Sequence, residues 1–203
     1  MIDINSAIKH FESHDPKVVT LLKNYAVAKR VIKKSPPDMY ARELFASIVS
    51  QQLSTKVADI IWGRFANLVK VPEDPKVVKK FSVEQLRTVG LSNSKATYIL
   101  AIANGVTDGT VLLDHLDSLD DEAIIAELVQ LKGVGRWTAE MFLLFTLARP
   151  DVFSVGDLGL RNAADKFFDK KLKPEKLLKL SAAWSPHRSA VSLALWHSLD
   201  SKV

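Results

Sequence analysis

Apolar residues recur along most of the chain at intervals of three and four positions, which is the period of an α-helix. The spacing is clear at Leu44 and Ile48, at Val57, Ile60 and Ile61, and at Ile124, Leu128 and Leu131. No run shows the apolar–polar alternation typical of a half-buried strand. The pattern therefore predicts an all-α protein.

Helix starts are marked by short polar side chains. Asp15–Pro16, Asp74–Pro75 and Ser185–Pro186 each put a capping residue before a proline suited to the first helical turn. "SVEQ" at 82–85 has the spacing of a capping box. Proline and glycine breaks divide the chain into about ten helices, with no internal repeat and no low-complexity linker.

The composition is that of a folded and basic protein. With 203 residues, 47% of them hydrophobic, the chain is long enough to bury a core. A formal net charge of +5 and a pI of about 9.3 favour a polyanionic partner. The absence of cysteine excludes disulfides, a thiolate nucleophile and cysteine-bound metal.

The first residues, "MIDINSAIKHFESHD", lack the basic start and apolar core of a signal peptide. No stretch approaches the roughly 20 apolar residues of a membrane span. We therefore expect a soluble intracellular protein, located in the cytoplasm and nucleoid, or in the nucleus if the source is eukaryotic.

The stretch "LKGVGRWTA" at 131–139 places two glycines between two helical segments, the first of them capped by Asp120. Gly133 and Gly135 would form the turn, where backbone N–H groups and the positive end of the second helix favour an anion such as phosphate. The glycines alone are explained better by a plain helical connection with a glycine cap. The motif by itself therefore leaves both interpretations open.

Four stretches together carry a specific resemblance. "LKGVGRWTAEMF" and "DVFSVGDLGL" are similar to the hairpin and the catalytic-aspartate segment of the helix-hairpin-helix (HhH-GPD) DNA glycosylase superfamily, in its 3-methyladenine DNA glycosylase II branch. "FASIVSQQLSTKVA" resembles the DNA-facing helix of that branch, and "WSPHRSAVSLALW" resembles its terminal helix. The four occur in the order found in the family.

The resemblance implies a two-lobed helical fold with the active site in the cleft between the lobes. Residues 1–40 and 150–203 would form one lobe, and residues 41–149, with the hairpin at 120–147, would form the other. The implied activity is that of a monofunctional glycosylase of base excision repair. It would flip alkylated purines, such as 3-methyladenine and 7-methylguanine, out of duplex DNA and hydrolyse their glycosidic bonds.

Asp157 matches the catalytic aspartate of the family, although an aspartate after a glycine is also a common helix cap. Cleavage of an N-glycosidic bond builds positive charge on the sugar, which a carboxylate stabilises. Trp137 stands where bifunctional relatives place an attacking lysine, and tryptophan forms no Schiff base. The neighbouring Arg136 stays protonated and cannot replace that lysine. Hydrolysis without strand cleavage is therefore expected.

Trp137 and Trp184 match pocket aromatics of the branch, and a cationic alkylated base favours stacking on such rings. Met141 stands where the branch often has another aromatic residue, so the sequence does not rank alkylated, etheno and deaminated purines. Arg188 matches a basic position that would support the lobes or the Asp157 loop, and a plain ion pair explains it equally well.

The other DNA-contacting positions come from the same resemblance. In "SQQLS", Gln52 is the first choice for the side chain that fills the gap left by a flipped base, and Leu53 is the second. The remaining predicted DNA contacts are Gln51, Ser54, Lys95, Gly133, Val134, Gly135, Arg136 and Thr138. Helix capping and surface polarity explain "SQQLS" equally well.

The expected partner is double-stranded DNA with a damaged base, bound by a monomer. No cofactor is expected, except that the hairpin could hold a monovalent cation. His10 and His14 have the spacing of a metal pair but no third ligand, so an exposed helix face explains them better. The alternative function is a non-catalytic helix-hairpin-helix module that binds DNA. A bifunctional lyase is disfavoured by Trp137.

Overall fold

The computed structural model describes residues 1–27 and 32–200, and within them it contains helices and no strand, as the hydrophobic pattern predicts. There are twelve α-helices in these ranges rather than about ten, because α5 and α6 are single short turns between α4 and α7. Their bounds are α1 Ile4–Phe11, α2 Pro16–Val27, α3 Tyr40–Ser50, α4 Thr55–Val69, α5 Pro75–Val78, α6 Val83–Arg87, α7 Asn93–Thr107, α8 Asp121–Leu128, α9 Arg136–Met141, α10 Leu158–Phe168, α11 Pro174–Ser181 and α12 Arg188–Asp200.

Most of the predicted helix starts are confirmed by their capping bonds. Asp15 accepts a hydrogen bond from Val18 N at 3.0 Å, and Asp74 accepts one from Lys76 N at 2.8 Å. Ser82 and Gln85 form a complete capping box. The start predicted at Ser185–Pro186 is wrong, because Ser185 donates its hydroxyl to Asp151 Oδ2 at 2.7 Å and α12 begins later, at Arg188.

The chain divides into two compact units. Unit 1 comprises Met1–Lys34 and Leu143–Val203, and unit 2 comprises Ser35–Phe142. The two boundaries therefore precede those inferred from the family, which lay at residues 40 and 149. The sequence predicts one continuous helix after the hairpin. In the structure, α9 ends at Met141 and the next residues, Phe142–Thr146, form a π-helical turn.

Unit 1 is built around α12, which packs against α2 and α10, with α1 against α2. Fully buried side chains of this unit include Phe11, Leu22, Tyr25, Leu160 and Leu195. Within the unit, α12 brings Arg188 and Trp196 to the segment that precedes α10. This segment, residues 150–157, carries Asp157.

Unit 2 is built around α7, which packs against α3, α5 and α6. The core of this unit is aliphatic and aromatic, with Phe45, Ile48, Phe65, Ile99 and Ile102 all fully buried. The α8–α9 pair forms the predicted hairpin, and Asp120 caps α8 by accepting a hydrogen bond from Ala123 N at 2.8 Å. The core of unit 2 thus supports both the hairpin and the turn between α3 and α4.

Candidate active site

Asp157 is both a helix cap and the centre of a small polar cluster on unit 1. Its Oδ1 accepts hydrogen bonds from Leu160 N at 2.6 Å and from the indole Nε1 of Trp196 at 3.0 Å. The side chain remains partly exposed. Because two donors converge on one oxygen, the carboxylate is held in a fixed orientation as the N-cap of α10.

Gly159 leaves room for this arrangement. A Cβ atom at position 159 would lie 3.2 Å from Asp157 Oδ1 and 3.4 Å from Trp196 Nε1. A larger side chain at position 159 would therefore displace the carboxylate or the indole and disturb the hydrogen bond between them. Gly159 is a supporting residue that the sequence analysis did not single out.

The aromatic group beside Asp157 is Trp196, which the sequence analysis missed. Its ring is stacked on that of Phe145, with centroids 5.9 Å apart and planes 26° apart. Phe145 is 45% exposed, so this aromatic pair is accessible. No local signal reveals the role of Trp196, since the residue it meets is 39 positions away along the chain.

Trp184 lies in the core of unit 1 and does not form such an exposed surface, and its assignment to the base pocket stays a prediction. It is only 2% exposed, and its ring is stacked on Phe168 with planes 11° apart. The edges of Phe153 and Phe167 also pack near it. Burial among three aromatic rings of unit 1 makes Trp184 a core residue.

Arg188 forms an ion pair with Asp151, at the start of the segment that carries Asp157. This contact fits both inferred alternatives, support of the Asp157 loop and a plain ion pair. Its Nε and Nη2 donate to Asp151 Oδ1 at 2.8 Å and Oδ2 at 3.0 Å, and Ser185 donates to the same carboxylate. Burial by itself would raise the pKa of Asp151, but the hydrogen bonds from Arg188, Ser185 and the Arg188 N–H hold that pKa below its usual value. Asp151 is therefore a charged anchor for the segment.

The hairpin on unit 2 has the predicted turn, but its two glycines play different roles. Gly133 has φ of +96°, a conformation that favours glycine, and a Cβ there would lie 2.3 Å from the ring of Tyr98. Gly135 has an ordinary φ of −91°, and a Cβ there would meet nothing within 4 Å. Gly135 is the N-cap of α9 and makes no side-chain capping hydrogen bond, and the start of a helix carries a partial positive charge that favours an anion.

Three of the hairpin contacts predicted with DNA are used within the protein instead. Val134 is buried and donates its N–H to Leu131 O at 3.0 Å. Thr138 is also buried, and its hydroxyl accepts a hydrogen bond from Gln51 Nε2 at 3.3 Å. The side chain of Val134 and the hydroxyl of Thr138 therefore stabilise the hairpin rather than face a ligand.

Arg136 is the third predicted DNA contact whose side chain is used within the protein. Its guanidinium bonds both carboxylate oxygens of Glu122, at 2.5 and 3.0 Å, and reaches Glu140 at 3.0 Å. The hydrogen bonds that Arg136 donates to Glu122 raise the pKa of Arg136 and lower the pKa of Glu122. Arg136 thus ties α8 to α9, and a DNA phosphate would have to compete with two carboxylates for it.

The turn between α3 and α4 presents the two residues predicted to enter the DNA stack. Gln52 is exposed and has φ of +57°, which is uncommon for a residue other than glycine. Leu53 is 37% exposed. Ser54 is the N-cap of α4 but makes no capping hydrogen bond through its side chain. We call residues 51–54 the wedge turn.

Gln51 and Lys95 fix the wedge turn rather than extend from it. The amide of Gln51 donates to Gly133 O at 3.5 Å and to Thr138 Oγ1 at 3.3 Å. The ammonium of Lys95 donates to Val49 O at 2.8 Å and to Gln51 O at 2.6 Å. Lys95, predicted to contact DNA, is therefore engaged with the backbone at the end of α3.

Trp137 lies beside these residues. It is 40% exposed and lines a cavity of about 540 Å³ with Gln51, Gln52, Ser92, Ser94, Lys95 and Tyr98. Met141, one turn further along α9, is half-buried. Unit 2 thus brings together the wedge turn, the start of α7 and Trp137.

Within residues 1–27 and 32–200, no group of three or more histidine, aspartate and glutamate side chains is arranged to hold a metal ion. His10 instead packs edge to face against His14 and against His187. None of the helices in the described residues combines the length and the apolarity needed to cross a membrane.

Comparison with known proteins identifies the fold. Residues 45–186 match the HhH-GPD superfamily of base excision DNA repair proteins. DNA-3-methyladenine glycosylase 1 of Schizosaccharomyces pombe is 32% identical over 185 residues, which cover 89% of this chain and 79% of that protein. YfjP of Bacillus subtilis is 32% identical over 162 residues, which cover 75% of this chain, and the match spans about half (56%) of that relative. The solved structure of an S. pombe 3-methyladenine DNA glycosylase in complex with abasic DNA has a TM-score of 0.83 and 29% identity, with 97% of each chain covered.

The described residues form helices and no strand, and they contain a glycine hairpin and the carboxylate-capped helix α10, which fits the helix-hairpin-helix repair fold. The chain belongs to the HhH-GPD superfamily of base excision DNA repair proteins. Its relatives place it in the 3-methyladenine DNA glycosylase branch, which confirms the resemblance carried by its four motifs.

Proposed function

We propose that the protein is a monofunctional DNA glycosylase that removes alkylated purines, 3-methyladenine and 7-methylguanine among them, from duplex DNA. The observation that carries this proposal is the geometry of Asp157. Its carboxylate is oriented by Leu160 N and Trp196 Nε1, next to an accessible stacked pair of aromatic rings. A plain helix cap needs the bond from Leu160 N but not the bond from the indole.

The chemistry follows from this placement. As the C1′–N bond of the cationic nucleotide breaks, its electron pair goes to the base, which leaves as a neutral molecule. Asp157 stabilises the positive charge that develops on the sugar. Water then adds its oxygen to C1′ and loses a proton, which leaves an abasic site. Because the leaving base starts out positively charged, the reaction does not require an acid partner for Asp157.

We propose Trp196 and Phe145, in place of Trp184, as the aromatic surface on unit 1 that receives the damaged base. A cation favours the electron-rich face of such rings by about 0.5–2 kcal/mol. Trp137 would provide a second aromatic surface on unit 2, next to the wedge turn. Met141 keeps its place as a predicted pocket residue.

Binding to DNA would rest on the hairpin backbone and the wedge turn. The N–H groups at the start of α9 would receive a phosphate, and Gln52 or Leu53 would fill the gap in the base stack. We propose that the protein acts as a monomer without a cofactor. Its place of action would be where the cellular DNA lies, in the cytoplasm and nucleoid or in a nucleus.

The test is release of free bases from methylated duplex DNA, with the product strands analysed both with and without alkali. We expect 3-methyladenine and 7-methylguanine to be released and the strands to break only after alkali treatment. Breakage without alkali would identify a lyase and refute the monofunctional assignment. If DNA is bound but no base is released from methylated, deaminated or etheno-adduct DNA, the non-catalytic binding module becomes the correct assignment.

A further inference from the structure

Lys95 lies on α7 but caps the C-terminal end of another helix, α3. It lies in the first turn of α7, yet its ammonium donates to two carbonyl groups at the end of α3, Val49 O at 2.8 Å and Gln51 O at 2.6 Å. The last carbonyls of a helix lack helical partners and carry a partial negative charge. Burial lowers the pKa of Lys95, as expected for an ammonium enclosed by backbone.

The turn that Lys95 closes has a strained backbone. Gln52 has φ of +57°, a conformation that is unfavourable for a residue other than glycine. The Gln51 carbonyl belongs to the peptide unit that joins Gln51 to Gln52. A hydrogen bond that fixes the direction of this carbonyl therefore restrains the backbone of Gln52 directly.

The same turn has a second anchor on the hairpin. The Gln51 amide is directed at Gly133 O and Thr138 Oγ1, and the ring of Tyr98 from α7 packs against the Cα of Gly133. Helix α7 thus touches the wedge turn through Lys95 and the hairpin through Tyr98. With the backbone held on both sides, the side chains of Gln52 and Leu53 remain exposed.

We propose that Lys95 is a positioning residue that holds Gln52 in the conformation in which it enters the DNA base stack, and that it is not a phosphate ligand. This inference rests on the proposed function of the wedge turn. A preformed wedge avoids the free-energy cost of ordering the turn when DNA binds. Loss of Lys95 should therefore impair insertion into the stack more than it impairs encounter with the duplex.

The test compares Lys95→Met with Lys56→Met. Methionine removes the charge and the donors but keeps an unbranched apolar chain. Lys56 is an exposed lysine in the first turn of α4, close to the wedge turn in the chain, and serves as the matched control. The probe is a duplex with a tetrahydrofuran abasic-site analogue and 2-aminopurine as the adjacent base. Fluorescence at saturation reports insertion of the wedge, and binding measured at several salt concentrations reports the number of phosphate contacts.

We expect Lys95→Met to lose at least about half of the fluorescence change at saturation, with the slope of log K against log salt unchanged. Lys56→Met should keep the full fluorescence change. An unchanged amplitude for Lys95→Met would overturn the proposal. So would a slope smaller by about 0.9, the value for one lost phosphate contact.

Two further measurements separate positioning from loss of the fold. Hydrogen exchange of the amides at 50–54 should be faster in Lys95→Met, while exchange in the core of unit 2 stays unchanged. Lys95→Arg keeps a charged donor and should recover part of the fluorescence change; no recovery would contradict the proposal. Because the abasic analogue carries no base to release, a failure to release bases from any substrate would refute the proposed activity without altering these results.

Discussion

The two units use the polar groups of their candidate residues in opposite ways. On unit 1 the proposed reactive group is a side chain, Asp157, which accepts hydrogen bonds from Leu160 N and Trp196 Nε1 and remains partly exposed. On unit 2 the side chain of Arg136 pairs with Glu122 and Glu140, and we propose that the hairpin backbone binds the DNA. The comparison teaches that substitutions of side chains should affect the rate through unit 1, whereas changes of backbone geometry should affect binding through unit 2.

The largest expected effect is a difference in stability between substitutions of Trp184 and Trp137, which the sequence analysis both assigned to the base pocket. Trp184→Ala should lower the free energy of unfolding by about 3–5 kcal/mol, because it empties a site among three aromatic rings. Trp137→Ala, at a 40% exposed ring, should cost less than about 1 kcal/mol and should mainly reduce activity. Urea unfolding of both variants measures the difference. Equal losses of stability would contradict the core assignment of Trp184.

The next largest effect is a difference in the free energy of unfolding between alanine substitutions at the two hairpin glycines. Gly133→Ala should cost about 2–4 kcal/mol, because its Cβ would overlap the ring of Tyr98 and its φ of +96° disfavours any side chain. Gly135→Ala should cost less than about 1 kcal/mol, since it only weakens the N-cap. DNA affinity should follow the same order. A hairpin that tolerates alanine at 133 would show that its backbone geometry is not decisive.

A smaller effect is expected at the indole that orients Asp157. Trp196→Phe keeps a ring against Phe145 but removes the Nε1 donor, and a hydrogen bond to a charged group contributes about 1.5–3 kcal/mol. We expect the single-turnover rate of base release to fall by about 10- to 100-fold, with little change in DNA affinity. Phe145→Leu is the control, since it alters the stack and leaves the hydrogen bond. An unchanged rate in Trp196→Phe would show that the hydrogen bond from the indole does not contribute to the reaction.

The smallest effect is a pH dependence confined to unit 1. Burial, and then the proximity of His10, lower the pKa of His187 below its ordinary value of 6.5. The unfolded chain therefore binds more protons than the folded one as pH falls through 6.5, and stability is lost in that window. His187→Asn should flatten the fall in Tm between about pH 7 and pH 5. Asp151 also has a lowered pKa, but its contribution is lost only at lower pH, where carboxylates protonate.

The features predicted well from the sequence are those set by neighbouring residues. The caps at Asp15, Asp74 and Ser82 depend on side chains that reach backbone groups two or three positions away. The hairpin turn at Gly133 and the cap at Asp157 are local in the same sense. The family assignment rested on such local motifs, and it is confirmed.

The features that were missed depend on contacts between distant parts of the chain. Trp196 meets Asp157 across 39 positions, and Lys95 meets Gln51 across 44. Nothing near Trp184 in the sequence showed that it packs inward while Trp196, on α12, reaches the carboxylate. Arg136 was assigned to DNA because the sequence does not show that Glu122 lies across the hairpin. The roles of the remaining site residues stay predictions.

The most direct test of the account is the Asp157→Asn variant, measured for single-turnover base release from methylated DNA and for DNA binding in the same buffer. Asparagine still caps a helix, so α10 should be preserved. The account predicts a rate at least about 100-fold lower, a loss near 2.7 kcal/mol of transition-state stabilisation, with DNA affinity close to that of the wild type. A variant that releases bases at the wild-type rate, or that loses affinity as much as rate, would contradict the division between a reacting side chain on unit 1 and a binding backbone on unit 2.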